Sequence, residues 1–354
     1  MSPPLSARLT IDLDALAANY ATLRRQAGTA EAAPVVKADG YGLGAAPVAR
    51  RLIAEGARSL FVARLAEGVA LRAALAKVSG GDAAIYVLDG CPDGAAPLLK
   101  GSALTPVLST AEQVAHWRAA GGGAAALMVD TGLNRLGVGE AEDLAGEDIG
   151  LLMSHLACAD TPAHPMNRRQ LDRFRAVAAA FPRARLSLAA SDGLFLGPDF
   201  AFDLVRTGIC LYGGGPEGAP DPRIRAVAIF EAPILQVRDL LPGDTVGYGA
   251  GFVAEQPMRV AVVAAGYADG VLRAASPNAY GSLAGGRCAV LGRISMDLTV
   301  FDVTDCPEAV PGALMELVGR NVPVDEAAAA AGTIAYEVLT RLGTRAERRY
   351  LGAR

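Results

Sequence analysis

Lysine is scarce in this chain of 354 residues. Lysine and arginine together fill 33 positions, yet lysine occupies only Lys37, Lys77 and Lys100. Arginine cannot replace lysine as a nucleophilic amine, because the guanidinium group stays protonated and is a poor nucleophile. A lysine that is kept at the end of an apolar segment, as Lys37 is, therefore calls for a chemical reason.

Cysteine is also sparse, and its spacing excludes two classes of stabilising site. The chain has five cysteines, an odd number, and no two of them have the CxxC spacing: Cys91, Cys158, Cys210, Cys288 and Cys306. This pattern suggests neither a disulfide framework nor a zinc site, and no metal is expected. It predicts buried, reduced thiols.

Long apolar runs and a strong charge of one sign are missing as well. No run reaches the length of a membrane-spanning helix, and Met1–Pro4 lack the charged and apolar regions of a signal peptide. We therefore expect a cytoplasmic protein that does not bind a membrane. The net charge of −4 argues against nucleic acid as the main partner. The length suggests about two domains, and 52% hydrophobic residues can form a sizeable core.

Short apolar segments recur through the first 210 residues and alternate with segments of helical periodicity. This alternation is typical of a parallel sheet covered by helices. Eight such units in about 200 residues favour a (β/α)8 TIM-like barrel over an open sheet. The apolar segments begin near Pro34, Ser59, Ala84, Leu104, Ala125, Gly150, Arg185 and Phe202. The helical segments include Ala45–Glu55, Glu67–Lys77, Thr110–Ala120, with Thr110 as a plausible N-cap, and Asn167–Phe181.

The pattern changes near Asp221 and Pro222, after which apolar runs are separated by turn signals. Helical periodicity is scarce there until Val324–Arg341. We predict a barrel domain over residues 1–225 and a mostly β domain over residues 226–354. Packing of the N-terminal segment against the second domain is left open.

The segment from Val35 to Gly42, VVKADGYG, closes a predicted strand and enters a glycine-containing turn. The C-terminal ends of barrel strands are where active sites form. Partial desolvation there would lower the pKa of Lys37 and make its amine nucleophilic. The alternative is a lysine that extends from the end of a strand into solvent.

VVKADGYG resembles the cofactor-lysine motif of the alanine racemase family, the barrel class of pyridoxal-phosphate enzymes. Six further segments resemble family motifs in the same order, so the resemblance extends from about Leu9 to Tyr350. They are Val129–Gly137, Met153–Ala157, Phe202–Ile209, Val246–Gly249, Gly266–Gly270 and Gly292–Asp297. The resemblance implies a homodimeric enzyme that interconverts L-alanine and D-alanine and supplies D-alanine for peptidoglycan.

The resemblance also implies how the cofactor, pyridoxal 5'-phosphate, is bound. Lys37 would carry it covalently, and Tyr41 would donate a hydrogen bond to its phosphate. Ser191 and the backbone amides of Gly208 and Ile209 would complete the phosphate site. Barrels often bind phosphate in the loops after strands 7 and 8, and these three residues follow the seventh and eighth predicted strands.

Four further roles follow from the same resemblance. Arg206 would donate to the pyridine nitrogen of the cofactor and keep it unprotonated, with His155 behind it. Racemisation needs a base on each face of the α-carbon. Lys37 would serve one face, and Tyr248, contributed by the partner subunit, the other. Without the resemblance, the alternatives are ordinary structural roles. Arg206 would form a surface ion pair, His155 would be a hydrogen-bonded core histidine, and Tyr248 would be an aromatic residue packed in a sheet.

The substrate residues implied by the resemblance are Arg135, which would contact the substrate carboxylate, and Tyr267, Met296 and Asp297 in the entry region. Met128 stands where many members carry a lysine that orients the equivalent of Arg135. Here a bound anion, a water molecule or another side chain must orient Arg135, or Arg135 is held less rigidly. Ala190 and Asp192, on either side of Ser191, also depart from the common pattern. So does Thr344, which stands where the family has a tyrosine that contacts the phosphate.

Several alternatives stay open at this point. A broad-specificity or serine racemase could use the same scaffold. A non-catalytic pyridoxal-phosphate carrier would be a barrel alone, so the motifs after residue 240 argue against it. Decarboxylases of basic amino acids also join a barrel to a β domain, but the GYADG and SMD motifs resemble the racemase branch. A phosphate-binding barrel without the cofactor is the remaining alternative.

Overall fold

The structure is a computed structural model that describes residues 6–144 and 146–353. Met1–Pro4, on which the expectation of no signal peptide rested, lie outside these residues. The chain forms two compact units, one of residues 17–211 and one of residues 1–16 together with 212–354. We call them the barrel unit and the β unit. They separate after Leu211, whereas the sequence had suggested a boundary after residue 225.

The chain starts with strand β1 (Arg8–Asp12) and helix α1 (Leu13–Ala27). Within the described part of the barrel unit, eight strands follow. They are β2 (Glu31–Pro34), β3 (Ser59–Val62), β4 (Ala84–Val87), β5 (Thr105–Leu108), β6 (Ala125–Met128), β7 (Ile149–Met153), β8 (Arg185–Ser187) and β9 (Leu204–Thr207).

These eight strands close into a ring. Strands β3 to β8 pair in chain order, each parallel to the next, and β2 pairs in parallel with β9. Two bridges complete the circle: Val35, just after β2, pairs with Phe61 of β3, and Ala190, just after β8, pairs with Arg206 of β9. The predicted (β/α)8 barrel is confirmed by this closed parallel ring.

Helices lie between most of the strands, as the sequence predicted. After β6, the described residues form a single 3-10 turn, Glu142–Leu144, in place of an α-helix. The helices are α2 (Lys37–Tyr41), α3 (Ala45–Ala54), α4 (Leu65–Leu75), α5 (Ala96–Gly101), α6 (Ala111–Ala119), α7 (Pro165–Ala178) and α8 (Ser191–Phe195). Thr110 is the N-cap of α6, because its side chain accepts a hydrogen bond from the Gln113 amide at 3.2 Å.

Burial on both sides explains why polar and apolar residues do not alternate along the barrel strands. Every residue of β3 and of β6 is buried, because a barrel strand faces side chains in the interior on one side and helices on the other. The apolar run near Pro34 begins later than its strand: β2 starts at Glu31, since Glu31 to Pro34 pair with Leu204 to Thr207 of β9.

The β unit is built mainly from the C-terminal part of the chain. Its later elements are β10 (Ala228–Leu240), β11 (Thr245–Val246), β12 (Phe252–Val253), β13 (Met258–Val263), β14 (Tyr280–Leu283), β15 (Gly286–Ala289), β16 (Thr299–Asp302), β17 (Leu314–Val318), α9 (Val324–Ala330), α10 (Ala335–Arg341) and β18 (Glu347–Leu351). Helices α9 and α10 replace the single helical segment expected over residues 324–341. Gly332, with φ +67°, lies in the break between them.

The two ends of the chain meet in the sheet of the β unit. Strand β1 pairs antiparallel with β10 on one side and parallel with β18 on the other. Leu9 and Ile11 of β1 are fully buried there. The 13-residue strand β10 also pairs with β13 and β17, so it is the strand to which most of this sheet attaches.

A membrane span is not found in the part of the chain that the structure describes: no helix there is both long and apolar enough to cross a bilayer.

Substitution of Ile11 by alanine tests the contribution of β1. Ile11 lies opposite Ala228 and Tyr350 with no exposed surface, so Ile11→Ala should lower the free energy of unfolding by about 2–5 kcal/mol. Thermal unfolding followed by circular dichroism would measure the loss. Leu351→Ala, at a position 48% exposed on the neighbouring strand, should change stability by less than about 0.5 kcal/mol. Equal losses in both variants would contradict the central position of β1.

Candidate active site

Several of the predicted site residues follow the C-terminal ends of barrel strands. Because all eight strands are parallel, these positions gather at one end of the ring. Lys37 follows β2, Arg135 follows β6, His155 follows β7, Ser191 follows β8, and Arg206, Gly208 and Ile209 lie on or just after β9. We call this end the lysine end of the barrel.

The backbone next to Lys37 adopts an uncommon conformation. Ala38, Asp39, Gly40 and Tyr41 all have positive φ, between 52° and 63°. A left-handed conformation costs about 1–2 kcal/mol for each L-residue other than glycine. Backbone strain of this kind persists only where the surroundings fix it, and it concentrates at functional sites.

Glu67 holds this turn in place. Its Oε1 accepts from the Ala38 amide at 2.8 Å, and its Oε2 accepts from the amides of Ala63, at 2.8 Å, and Arg64, at 3.1 Å. The turn is therefore tied to the start of α4. Sequence analysis missed Glu67, because the usual signature of such a cap has serine or threonine three residues before the acid, where this chain has Arg64.

The environment of Lys37 favours a neutral amine. Lys37 is half-buried, and its pKa is lowered, first by desolvation and then by the positive charge of Arg135; Glu67 opposes the shift, and Arg206 adds to it. A lowered pKa leaves a larger fraction of the amine unprotonated, with a lone pair that can attack a carbonyl.

Tyr41, Ser191 and Gly208 come together in a polar cradle. The Ser191 hydroxyl accepts from the Gly208 amide at 2.8 Å and from the Cys210 amide at 3.4 Å. A Cβ at position 208 would lie 2.5 Å from the Tyr41 hydroxyl oxygen, so any residue other than glycine would displace that hydroxyl. Ile209 is buried and begins a 3-10 turn. Burial raises the pKa of Tyr41, which keeps its hydroxyl a donor. Amides and hydroxyls grouped in this way can bind a phosphate.

Arg206 is buried and hydrogen-bonded through its two terminal nitrogens. Nη1 donates to the carbonyl and hydroxyl of Ser187, at 3.0 and 2.5 Å, and Nη2 donates to the carbonyls of Ser154 and Leu188, at 2.6 and 3.2 Å. These acceptors are neutral, and burial lowers the pKa of Arg206 to about 9. The side chain is still charged at neutral pH. Its Nε makes no hydrogen bond within residues 6–144 and 146–353 and can donate to a ligand.

His155 lies beside Arg206 and is neutral. Its Nδ1 is 3.3 Å from Nη2 of Arg206; because the guanidinium only donates, Nδ1 must accept. Desolvation and then the charge of Arg206 lower the pKa of His155 to about 3, with further contributions from Arg135 and Lys37.

Gln170, fully buried on α7, donates to the His155 carbonyl at 2.9 Å. Neither Gln170 nor Ser187 was predicted, because each pairs across the fold with residues distant in sequence.

Arg135 is exposed in the loop after β6. Asp130 shapes that loop, because its Oδ1 accepts from the amides of Gly132, at 2.8 Å, and Asn134, at 3.1 Å. Met128 is buried at the end of β6. No hydrogen bond to the Arg135 side chain is found within residues 6–144 and 146–353.

The other four predicted residues belong to the β unit. The amides of Tyr267 and Ala268 donate to the carbonyls of Ser295 and Met296, at 3.0 and 2.9 Å, so the Tyr267 and Met296 loops lie together. Asp297 accepts from Arg345 at 2.7 Å.

Tyr248 lies on a separate 3-10 turn and is 73% exposed. Tyr267 and Met296 are exposed as well, which leaves all three side chains open to a ligand or a partner.

The lysine end of the barrel fits pyridoxal phosphate. The cofactor needs an amine for its aldehyde, and Lys37 supplies one with a lowered pKa. It needs a phosphate site, and Gly208 keeps the space beside Tyr41 free of a side chain. It also needs a partner for its ring nitrogen, and Nε of Arg206 is available.

Comparison with known proteins agrees with this geometry. The family model described as alanine racemase, N-terminal domain, matches residues 11–216, and the model of the C-terminal domain matches residues 227–350. A biosynthetic alanine racemase of Agrobacterium fabrum is 46% identical, with 98% of this chain and 94% of the relative covered. An alanine racemase of a Methylobacterium species is 48% identical, with 98% of each covered.

A solved structure supports the same assignment. The alanine racemase of Bartonella henselae, crystallised with covalently bound pyridoxal phosphate, superimposes with a TM-score of 0.90 at 35% identity, covering 98% of this chain and all of that one. Both halves of the sequence and the whole fold thus match the same group of enzymes. The chain belongs to the alanine racemase family.

Proposed function

We propose that this chain is a pyridoxal-phosphate-dependent racemase that interconverts L-alanine and D-alanine by moving the α-proton between two bases. The observation that carries this proposal is the half-buried amine of Lys37, which lies with Arg206 and the Ser191–Gly208 cradle at one end of the barrel. Family membership supplies the reaction, and the geometry of these residues supports it.

Pyridoxal phosphate, when bound, withdraws electrons from the α-carbon of an amino acid and so makes its α-hydrogen acidic. Lys37 would hold the cofactor covalently and, in its neutral form, take or return the proton on one face of the α-carbon. Tyr41, Ser191 and the amides of Gly208 and Ile209 would bind the phosphate. The positive-φ turn after Lys37 would fix the direction of its side chain.

Arg206 would hold the ring nitrogen by donating from Nε. A carboxylate at this position would instead keep that nitrogen protonated and draw more charge into the ring. A permanent donor limits this withdrawal, which should favour return of the proton to the α-carbon over side reactions. His155, neutral and accepting from Arg206, adds no second charge beside it.

Tyr248 of the partner subunit would serve the opposite face of the α-carbon. Its exposure of 73% is unusual for a tyrosine that only packs in a sheet. Arg135 would bind the substrate carboxylate by paired hydrogen bonds, which gives the orientation that proton transfer requires. Tyr267, Asp297 and the backbone amide of Met296 would border the entry to the site. This arrangement would require a homodimer with shared active sites, as the family resemblance implies.

The product D-alanine would serve peptidoglycan synthesis. The Agrobacterium relative is named a biosynthetic enzyme, which supports this use. A cytoplasmic location remains a prediction from the sequence.

Lys37→Ala tests cofactor attachment. The variant should lack the long-wavelength absorption band that pyridoxal phosphate acquires when joined to lysine, and should lose racemisation, because alanine has no amine. The absorption spectrum of purified protein incubated with the cofactor measures the first effect. Lys77→Ala, at an exposed lysine, should keep the band. A normal band in Lys37→Ala would show that another amine carries the cofactor.

Tyr248→Phe tests the second base. Deuterium uptake at the α-carbon should slow by about 10²- to 10⁴-fold for one enantiomer of alanine, because phenylalanine cannot transfer a proton. Exchange from the other enantiomer, which depends on Lys37, should persist. Wild-type rates for both enantiomers would rule out the two-base scheme. L-serine and L-lysine, measured in the same assay, would reveal a broader substrate range.

Mixing the two variants distinguishes a shared site from one formed within a single subunit. Lys37→Ala and Tyr248→Phe, dissociated and reassembled together, should regain about a quarter of wild-type activity, since half of random dimers are mixed and each mixed dimer has one intact site. If Lys37 and Tyr248 of the same subunit worked together, the mixture would remain inactive.

Glu67→Ala tests the support of the Lys37 turn. The variant leaves the amides of Ala38 and Ala63 without their acceptor, which should cost about 1–3 kcal/mol of stability and slow cofactor attachment about tenfold or more. Gln113→Ala is the matched control, because Gln113 caps α6 by accepting from Ser109 at 2.9 Å and donating to Asp89 at 3.1 Å. It should lose similar stability but attach the cofactor at the normal rate. Equal attachment rates in the two variants would show that Glu67 has only a structural role.

A further inference from the structure

The barrel end opposite Lys37 contains a cavity of about 900 Å³. The first residues of β2, β3, β4 and β8 line it, together with the C-terminal part of α1. Because parallel strands all start at one end of the ring, this cavity lies at the far end of the barrel from the lysine. We call it the arginine basin; its charged residues are Arg24, Arg25, Glu31, Arg58, Arg185 and Asp203.

The charges of the basin do not balance. Four arginines face two carboxylates, a surplus of two positive charges, in a chain whose net charge is −4. Arg185 is paired, because it donates to Glu31 at 2.8 Å. A concave surface that carries a surplus of one sign focuses its potential and attracts ions of the opposite sign.

The other three arginines have no carboxylate partner within the described residues. Arg24 donates to the backbone carbonyl of Glu55 at 3.0 Å and lies over the ring of Tyr20. Arg25 donates to the Thr22 hydroxyl at 3.0 Å. The side chain of Arg58, which is exposed, makes no hydrogen bond or ion pair in residues 6–144 and 146–353. Their donors are therefore available to an anion.

Glu31 lacks a hydrogen-bond donor for one of its carboxylate oxygens. Its Oε2 accepts from Arg185, but its Oε1 is buried and has no hydrogen-bond partner in the described part of the chain. A buried acceptor without a donor is unfavourable, and native structures contain few of them. A hydroxyl group on the ligand would supply the donor. Because a hydroxyl is neutral, the ligand would keep the negative charge that the arginines attract.

The tyrosines of the basin are neutral, and the Tyr20 hydroxyl donates to the Ala32 carbonyl at 3.0 Å. Burial raises the pKa of Tyr20 to about 12 and also raises the pKa of Tyr86. Both phenols therefore stay neutral at physiological pH, and the surplus of positive charge is maintained. The ring of Tyr86 stacks on Phe61 at 4.7 Å, which fixes one wall of the basin.

We propose that the arginine basin binds a phosphorylated sugar, either a free sugar phosphate or a nucleotide. Arg24, Arg25 and Arg58 bind the phosphate groups, and Oε1 of Glu31 accepts from a sugar hydroxyl. The planar guanidinium matches phosphate oxygens in paired hydrogen bonds. An acidic side chain on a sugar hydroxyl is the pairing by which dinucleotide folds hold ribose. The volume falls in the range of about 300–1,000 Å³ that small-molecule sites occupy.

Titration calorimetry on the enzyme loaded with pyridoxal phosphate tests the proposal, since the cofactor then fills the phosphate cradle at the lysine end. The probes are ribose 5-phosphate, ADP, inorganic pyrophosphate and ribose. Ribose 5-phosphate should bind saturably, one per subunit, and more tightly than pyrophosphate or ribose. Similar or tighter binding of ADP would identify a nucleotide site, whereas binding of ribose 5-phosphate without ADP would identify a sugar-phosphate site.

Variants locate the binding. Arg58→Ala should weaken binding of ribose 5-phosphate about tenfold or more while racemase activity stays at the wild-type level. Arg169→Ala is the matched control, because Arg169 is an exposed arginine on α7 without a hydrogen bond or ion pair in the described residues. It should bind the ligand as the wild type does.

Three results would overturn the proposal. They are a lack of saturable binding by both ribose 5-phosphate and ADP, pyrophosphate binding as tightly as ribose 5-phosphate, and equal weakening in Arg58→Ala and Arg169→Ala. The last would indicate attraction to the overall charge of the surface rather than to a built site. Because none of these results depends on racemisation, they would leave the proposed function intact.

Discussion

A buried positive charge organises the lysine end of the barrel. Arg206, on β9, satisfies its charge with carbonyls and a hydroxyl from residues 154, 187 and 188, at the ends of β7 and β8. A buried charge without such partners would be strongly unfavourable, so the three strand ends must keep their relative positions. Desolvation is the main cause of the lowered pKa of both His155 and Lys37, and the charge of Arg206 adds to each shift. Arg206 thus fixes the shape of the site and contributes to its electrostatics.

The backbone after Lys37 is strained. Three non-glycine residues after Lys37 hold left-handed conformations that isolated chains avoid. Hydrogen bonds from a neighbouring element, through Glu67, and from within the loop, where Asp39 accepts from the Ala45 amide at 2.8 Å, balance that cost. The direction of the lysine side chain is therefore fixed by the backbone that follows it and does not depend on a flexible loop.

The two ends of the barrel differ in how their charges are used. At the lysine end, positive charges lie beside a neutral histidine and an amine with a lowered pKa, which suits proton transfer. At the other end, Arg24, Arg25 and Arg58 line a cavity that carries a surplus of positive charge, which suits the binding of an anion. Parallel strands make this division possible, because side chains at the two ends of a strand are separated by the packed interior of the barrel.

The sequence by itself determined the alternation of strands and helices, the position of Lys37 after a strand, and the order of motifs that indicates the family. These features depend on local periodicity and on short segments, which a single sequence contains in full. The sequence also predicted α3, α4, α6 and α7 to within three residues at each end. The cap at Thr110 was predicted as well, because a cap is a local hydrogen bond.

The tertiary structure alone decided which distant residues meet. Such meetings of positions far apart in sequence include the pairing of β1 with β10 and β18, the acceptors around Arg206, the support of the Lys37 turn by Glu67 and the grouping of arginines in the basin. The strand limits and the break between α9 and α10 were likewise set by pairing and packing. Such contacts depend on how the ring and the sheet close in space, and periodicity along the chain contains no record of that closure.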